Sequence, residues 1–236
     1  MTARLLAFDT STEQLAIAVA GPAGERLLLE AGGALASAAL LPRIHRLLAE
    51  AGLVLAELDA VAFGQGPGAF TGLRTSCAVA QGLGFGLGCP LLPLDSLLIV
   101  AEDARAQQPT ASDVVVAMDA RMDEVYAGRY RWTDGRWMVT VPPGLYTLPA
   151  LALLWSQPPD LVAGTALAAF GERLGLPVGL VQLPSERSRP LALLRLAQAA
   201  HAAGAGIDAA LALPLYLRDK IALTTAEREA VRAAKA

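Results

Sequence analysis

The sequence predicts an α/β protein made of two related domains. Three observations predict it. The first third reads as β-β-β-α-β-α-β, the second half begins that order again, and a segment near the start recurs 110 residues later. "AFDTSTEQLAIAVA" (7–20) aligns without a gap on "AMDARMDEVYAGRY" (117–130). Ala7 then matches Ala117, Asp9 matches Asp119, Glu13 matches Asp123 and Leu15 matches Val125. Each copy is an apolar strand, an Asp, a short polar turn and a returning strand, which is the signature of a duplicated α/β unit.

Strands are expected at Leu5–Thr10, Leu15–Ala20 and Arg26–Glu30, separated by the turn signals "DTSTEQ" and "GPAGE". A helix follows over Ala38–Ala51, with Leu40, Leu41, Ile44, Leu47, Leu48 and Ala51 on one face and Arg43, Arg46 and Glu50 opposite. Ala60–Phe63 is a fourth strand, and "GQGPGAFTGLR" (64–74) leads from it into a helix over Thr71–Gly86. Along that helix Ala78, Gly82 and Gly86 recur every four residues, a stripe that lets another backbone approach closely. Each glycine costs about 1 kcal/mol in a helix relative to alanine, so the spacing points to packing.

The second half is expected to hold strands at Val114–Asp119, Val125–Trp132 and Trp137–Val141, then at 160–164 and 178–183. Helices are expected at Pro149–Ser156, Leu167–Leu174 and Arg189–Ala203. The Ala- and charge-rich tail 225–236 reads as a frayed helix or a disordered end.

Composition narrows the function classes. Hydrophobic residues make up 54% of the 236 and charged residues 17%, which supports a large core and argues against global disorder. The net charge is −3, with one small basic cluster at Arg43, His45 and Arg46, so unaided tRNA or DNA binding is disfavoured. Cys77 and Cys89 sit in apolar context outside any CxxC pair and read as reduced, buried thiols. Arg4 interrupts the start, so "RLLAFDTST" reads as a strand entering a turn and not as a signal peptide. The uncharged run 75–94 carries Gln81, four glycines and two prolines, and reads as a buried helix and strand, not a membrane span.

Two motifs offer chemistry. "GQGPGAFTGLR" has the strand–glycine loop–helix form of a phosphate cradle, with Gly66 and Gly68 presenting backbone N–H groups and Thr71 capping the helix. No Lys follows its glycines, which excludes a Walker-type NTPase. The same glycines would equally serve a tight turn and close packing. In "DTST", Asp9 would face a metal–phosphate, with Thr10 and Ser11 beside the phosphate, or Asp9 serves as a turn former. The second copy reads Asp119-Ala120-Arg121-Met122 and lacks the hydroxyls. His45 and His201 lie on separate helices, and no HxxxH, HExxH, Cys/His ligand spacing or G-x-S-x-G elbow occurs. No catalytic centre or metal site is assembled by these motifs.

Taken together, "AFDTSTEQLAIAV" (7–19), "AFGQGPGAFTGLR" (62–74), "AMDARMDEVYAGRY" (117–130) and "LPLYLRDK" (213–220) resemble the TsaB family, also called YeaZ. The second segment matches the family's GPGSFTGLR-type signature with Ala69 in place of Ser. The resemblance implies an actin-like (ASKHA) fold of two β-β-β-α-β-α-β type domains. These are expected over 1–103, carrying the dimerisation helices, and over 104–224, whose last segment packs back on the first.

The resemblance also implies a role. Such chains are non-catalytic partners of a homologous subunit, TsaD, in the bacterial machinery that places a threonylcarbamoyl group on the adenosine beside the anticodon. The tRNAs concerned read codons beginning with A. A small ATPase, TsaE, joins the pair. The chain alone is expected to bind no cofactor, with ATP and Mg²⁺ at the interface of the complex, and to meet tRNA only indirectly. It is expected to be cytoplasmic and to pair with itself through the same helices when alone. The pairing surface carries over to Leu41, Ile44, His45 and Leu48 of the first helix and Thr71, Arg74, Ala78, Gly82 and Gly86 of the second. Many relatives carry a His just before the first helix, where this chain reads Leu35-Ala36-Ser37. The alternative is a stand-alone ASKHA-type ATPase or peptidase-like enzyme.

Overall fold

The computed structural model describes residues 3–33 and 36–218. Residue Leu35, the last two residues of "LPLYLRDK" and the tail 225–236 lie outside the described residues.

The first sheet is formed by β1 (Leu5–Asp9), β2 (Gln14–Gly21), β3 (Gly24–Ala31), β4 (Ala60–Gly66) and β5 (Leu91–Asp95), in the order β3-β2-β1-β4-β5. The second holds β6 (Asp113–Asp119), β7 (Glu124–Thr133), β8 (Arg136–Thr147), β9 (Leu161–Ala163) and β10 (Val181–Leu183), in the order β8-β7-β6-β9-β10. The two orders are the same path followed twice. In each sheet the first three strands form an antiparallel meander, and the last two run parallel to the strand that opens the unit.

Helices α1 (Ala36–Glu50) and α2 (Phe70–Leu87) cover the outer face of the first sheet. Leu40, Ile44, Leu47 and Leu48 pack there on Phe8, Ile17, Val61 and Phe63. The short helices α4 (Leu148–Leu151) and α5 (Ala166–Phe170), each prolonged by a turn of 3-10 helix, cover the outer face of the second sheet. Between the sheets lie α3 (Ser96–Gln107) and α6 (Arg189–Ala202).

These two inner helices cross over. α3 follows the first sheet in sequence but sets Leu97, Val100 and Ala104 against Val114, Val116 and Leu161 of the second. α6 follows the second sheet but sets Ala192, Leu193 and Ala197 against Leu5, Ala7 and Ala18 of the first. The helices are tied end to side. The Asp103 carboxylate of α3 accepts from the backbone N–H groups of Arg187 and Ser188 at 2.9 and 2.8 Å, satisfying donors at the start of α6.

Three expectations change. α3 is absent from the expected element list, and it runs across residue 103. Leu41, placed on the apolar face of α1, is 42% exposed, because the sheet takes only Leu40, Ile44, Leu47 and Leu48. The gapless repeat is also out of register by one in its first strand. Asp9 shares a face with Leu5 and Ala7, beneath α6, whereas Asp119 shares a face with Val115 and Ala117, beneath α4 and α5. Asp9 pairs with Ala16 and Asp119 with Val125, so the two hairpins differ by one residue. A one-residue shift turns a strand side chain to the other face.

Candidate functional site

The domains leave a cleft of about 670 Å³ between the β1–β2 turn, the loop before α2, the β6–β7 turn and the start of α6. That volume lies in the range of small-molecule sites. Its charged groups are Glu13, Asp119, Arg121, Glu186, Arg189 and Arg218.

At the inner end of the cleft Asp9 is fully buried and fully engaged. One carboxylate oxygen accepts from the Ser11 N–H at 2.5 Å. The other accepts from the Ser96 hydroxyl at 3.2 Å and from an Arg189 Nη at 3.1 Å. Arg189, 1% exposed, also donates to Ser11 Oγ at 3.1 Å and grips both oxygens of Glu186 at 2.9 and 2.8 Å. Burial alone would lower the Arg189 pKa, but the adjoining Asp9 and Glu186 carboxylates outweigh it and raise it. Burial pushes the Glu186 carboxyl up, against the pull of Arg189. A guanidinium therefore sits where the sequence offered Asp9 to a metal–phosphate.

Of the other expected phosphate contacts, Thr10 and the Gly66 N–H are likewise occupied. Thr10 donates its hydroxyl to the Gly72 carbonyl at 2.7 Å and accepts from the Ser76 hydroxyl at 2.7 Å. Its N–H goes to Ser76 Oγ at 3.1 Å. The Gly66 N–H goes to Ser96 Oγ at 3.1 Å, and the Ala69 N–H to the Ser11 carbonyl at 2.7 Å. The glycines explain this closeness. A Cβ at Gly64 would land on the Asp9 carboxylate, at Gly68 on the Ser11 carbonyl, and at Gly72 on the Thr10 carbonyl. Three glycines at four-residue spacing let β4, the loop and α2 lie against the β1–β2 turn. Thr71 does not cap α2. The N-cap is Ala69, with no side-chain cap, and Thr71 is exposed in the first turn. These residues do not fit a Mg²⁺–phosphate group.

The β6–β7 turn is unusual in another way. Arg121, Met122 and Asp123 all have positive φ, at 65°, 58° and 58°. Such a run of non-glycine residues is costly and persists only where its surroundings hold it. Arg218 is one such support, donating to the Ala120 carbonyl at 3.0 Å and pairing with Glu124 at 2.7 Å. Asp119 accepts from the Arg121 N–H at 2.8 Å, which makes it a turn former.

The second candidate surface is the outer face of α2. Thr71, Arg74, Ala78, Gly82 and Gly86 are exposed along it, and Phe85 is 64% exposed beside them. Among the described residues, a Cβ at Gly82 or Gly86 would meet nothing within 4 Å, so they leave the stripe open. From α1, Leu41 and His45 are exposed. Ile44 and Leu48 are not, at 0% and 2%. They belong to the core beneath the helix and have no surface to give a partner. Arg74 is exposed but held: its guanidinium lies 3.7 Å above the Phe70 ring, and its Nε donates to the Tyr216 hydroxyl at 3.0 Å.

Arg189 is the site residue the motif reading missed. Its signal is periodicity. Residues 189, 192, 193, 196 and 197 form one helical stripe, and four of the five are apolar and buried. An Arg in such a stripe needs buried carboxylates.

Among the described residues, no group of three His, Cys, Asp or Glu side chains could hold a metal, and no helix is long and apolar enough to cross a membrane. The family model described as "TsaD: tRNA N6-adenosine threonylcarbamoyltransferase" matches residues 34–178. The Escherichia coli tRNA threonylcarbamoyladenosine biosynthesis protein TsaB is 31% identical over 93% of this chain and 96% of its own length. The Haemophilus influenzae protein of that name is 43% identical over 52% of this chain and about half, 51%, of its own length. The solved structure of YeaZ from Pseudomonas aeruginosa superposes with a TM-score of 0.81 at 39% identity, over 91% of this chain and 100% of that one. With the same strand path in both domains and inner helices exchanged between them, the fold is actin-like (ASKHA), and the chain belongs to the TsaB (YeaZ) family.

Proposed function

We propose that this chain is a non-catalytic partner of a TsaD-like subunit in tRNA threonylcarbamoyladenosine biosynthesis. It binds that subunit and activates threonylcarbamoyl transfer to the adenosine beside the anticodon of tRNAs that read codons beginning with A. The observation that carries the reading is the open stripe of Ala78, Gly82 and Gly86 on α2. Small residues on an outer helix face give stability nothing and give a second helix room to pack. The TsaB-named relatives support the setting in tRNA modification.

The stand-alone enzyme loses its main support in Asp9, whose carboxylate already serves Ser11, Ser96 and Arg189. On this reading the chain alone binds no cofactor, and ATP and Mg²⁺ are held at the interface of the complex. The same α2 face serves a homodimer when the partner is missing, a TsaE-like ATPase joins the pair, and tRNA is met through the partner, in the cytoplasm. The test is reconstitution. Threonylcarbamoyl transfer is measured with the TsaD-like subunit and its donor-forming enzyme, with and without this chain. Transfer that proceeds equally well without it sinks the reading. Turnover of Mg-ATP by the isolated chain, abolished by Asp9→Asn, would restore the enzyme.

A further inference from the structure

The chain after α6 runs back along α2. Ile207 pairs with Leu91, and the Gln81 side chain donates to the carbonyls of Ala209 and Ala212 at 3.4 and 3.0 Å. Beyond Ala212 the chain passes the first turn of α2 and crosses from one domain to the other without regular structure. On the first domain, the Leu215 N–H donates to the Gln65 carbonyl at 2.8 Å, and the Gln65 amide donates to the Leu213 carbonyl at 2.9 Å. Tyr216 packs on Phe70, ring centres 5.1 Å apart, and accepts from Arg74. On the second domain, Arg218 pairs with Glu124 at 2.7 Å and donates to the Ala120 carbonyl at 3.0 Å. Leu215, Tyr216, Leu217 and Arg218 all line the cleft.

We propose that Leu213–Arg218 is a strap that holds the cleft closed, and that the outer face of α2 governs it through Arg74. Besides the two Gln65 bonds, two side-chain anchors of different strength fix the strap. The Arg218 anchor is a shielded ion pair, with side chains 14% and 31% exposed, joined to a backbone carbonyl. The Arg74–Tyr216 anchor is a single exposed hydrogen bond with a stacked ring. Arg74 is also a member of the exposed α2 stripe, so a partner seated there competes with Tyr216 for its guanidinium. The coupling half rests on the proposed partner surface, whereas the strap itself does not.

The experiment is hydrogen exchange at the Leu215 N–H in the full chain, with binding of the apolar dye ANS as a second readout of cleft access. Arg218→Ala raises Leu215 exchange about tenfold or more, and ANS fluorescence rises with it, while exchange in β1 and β4 stays unchanged. Glu124→Gln removes the same ion pair from the other side and produces the same change, which covers a misfolded Arg218 variant. Unchanged Leu215 exchange in both folded variants overturns the strap. With a TsaD-like subunit added, Leu215 exchange rises in the wild type, and Arg74→Ala raises it without any partner. A partner that binds and leaves Leu215 unchanged overturns the coupling and spares the partner reading. A partner that fails to bind overturns the coupling and the partner reading together, and the strap stands on the single-chain result.

Discussion

The guanidinium of Arg189 meets the carboxylate of Asp9 at 3.1 Å with both side chains out of solvent. Removing one member of a buried pair leaves the other as an uncompensated charge, at a cost of about 3–5 kcal/mol. Arg189→Met is therefore expected to lose about that much stability in denaturant unfolding, since it strands Asp9 and Glu186 together. Asp9→Asn combined with Arg189→Met costs less than the sum of the two single changes, because the residues share one network. Single losses below about 1 kcal/mol would show the pair to be incidental.

Gly72 and Gly82 lie ten residues apart on one helix and predict opposite outcomes. A Cβ at Gly72 would land on the Thr10 carbonyl, and backbone has little freedom to yield. Gly72→Ala is expected at the upper end of the about 1–3 kcal/mol cost of overpacking. A Cβ at Gly82 would meet nothing within 4 Å among the described residues, so Gly82→Ala is expected to stabilise the isolated chain by up to about 1 kcal/mol. Thermal melts of the two variants decide it. A destabilising Gly82→Ala would mean the α2 face is already covered.

Burial works to raise the Asp113 carboxyl, but Arg129 at 2.8 Å and Arg131 at 3.0 Å outweigh it and hold the group below its ordinary value of 3.8. The folded chain thus binds this proton less readily than the unfolded chain. The stabilisation is complete above the ordinary aspartate range and drains as pH falls through the folded-state value. Asp95 and Glu186 act in the other sense. Burial raises both, so their ionised forms cost stability as pH rises past their ordinary values. Asp113→Asn is expected to flatten the loss of stability in acid, measured by urea unfolding at a series of acidic pH values. An unchanged acid slope would remove Asp113 from the account.

α1 and β3 were legible because each keeps one face from water and shows the matching period. β1, β2, β4 and β6 are covered on both faces and were legible as short apolar runs bounded by turn residues. α3 was not. It lies between two sheets, and eight of its twelve residues are buried, Glu102 and Asp103 among them. A helix covered on both sides has no polar face to read. Its carboxylates are tolerated because Trp137 donates to Glu102 at 2.8 Å and the start of α6 donates to Asp103. In the cleft, the sequence pointed to Asp9, Thr10 and Ser11 as a group. Their partners come from residues as distant as Ser76, Ser96 and Arg189, and only tertiary packing reveals that the group is already occupied. The small-residue stripe on α2 was legible in full, since its spacing alone sets Ala78, Gly82 and Gly86 on one face.

The most direct measurement is the affinity of a TsaD-like subunit for three forms of this chain: wild type, Gly82→Arg, and Val178→Arg. Val178 is a fully exposed loop residue of the second domain. A bulky charge in the middle of a small-residue helix face is expected to weaken binding by about 30-fold or more, while Val178→Arg binds as the wild type does. Equal affinity of the wild type and Gly82→Arg, with both chains folded, would contradict the assignment of α2 as the partner surface.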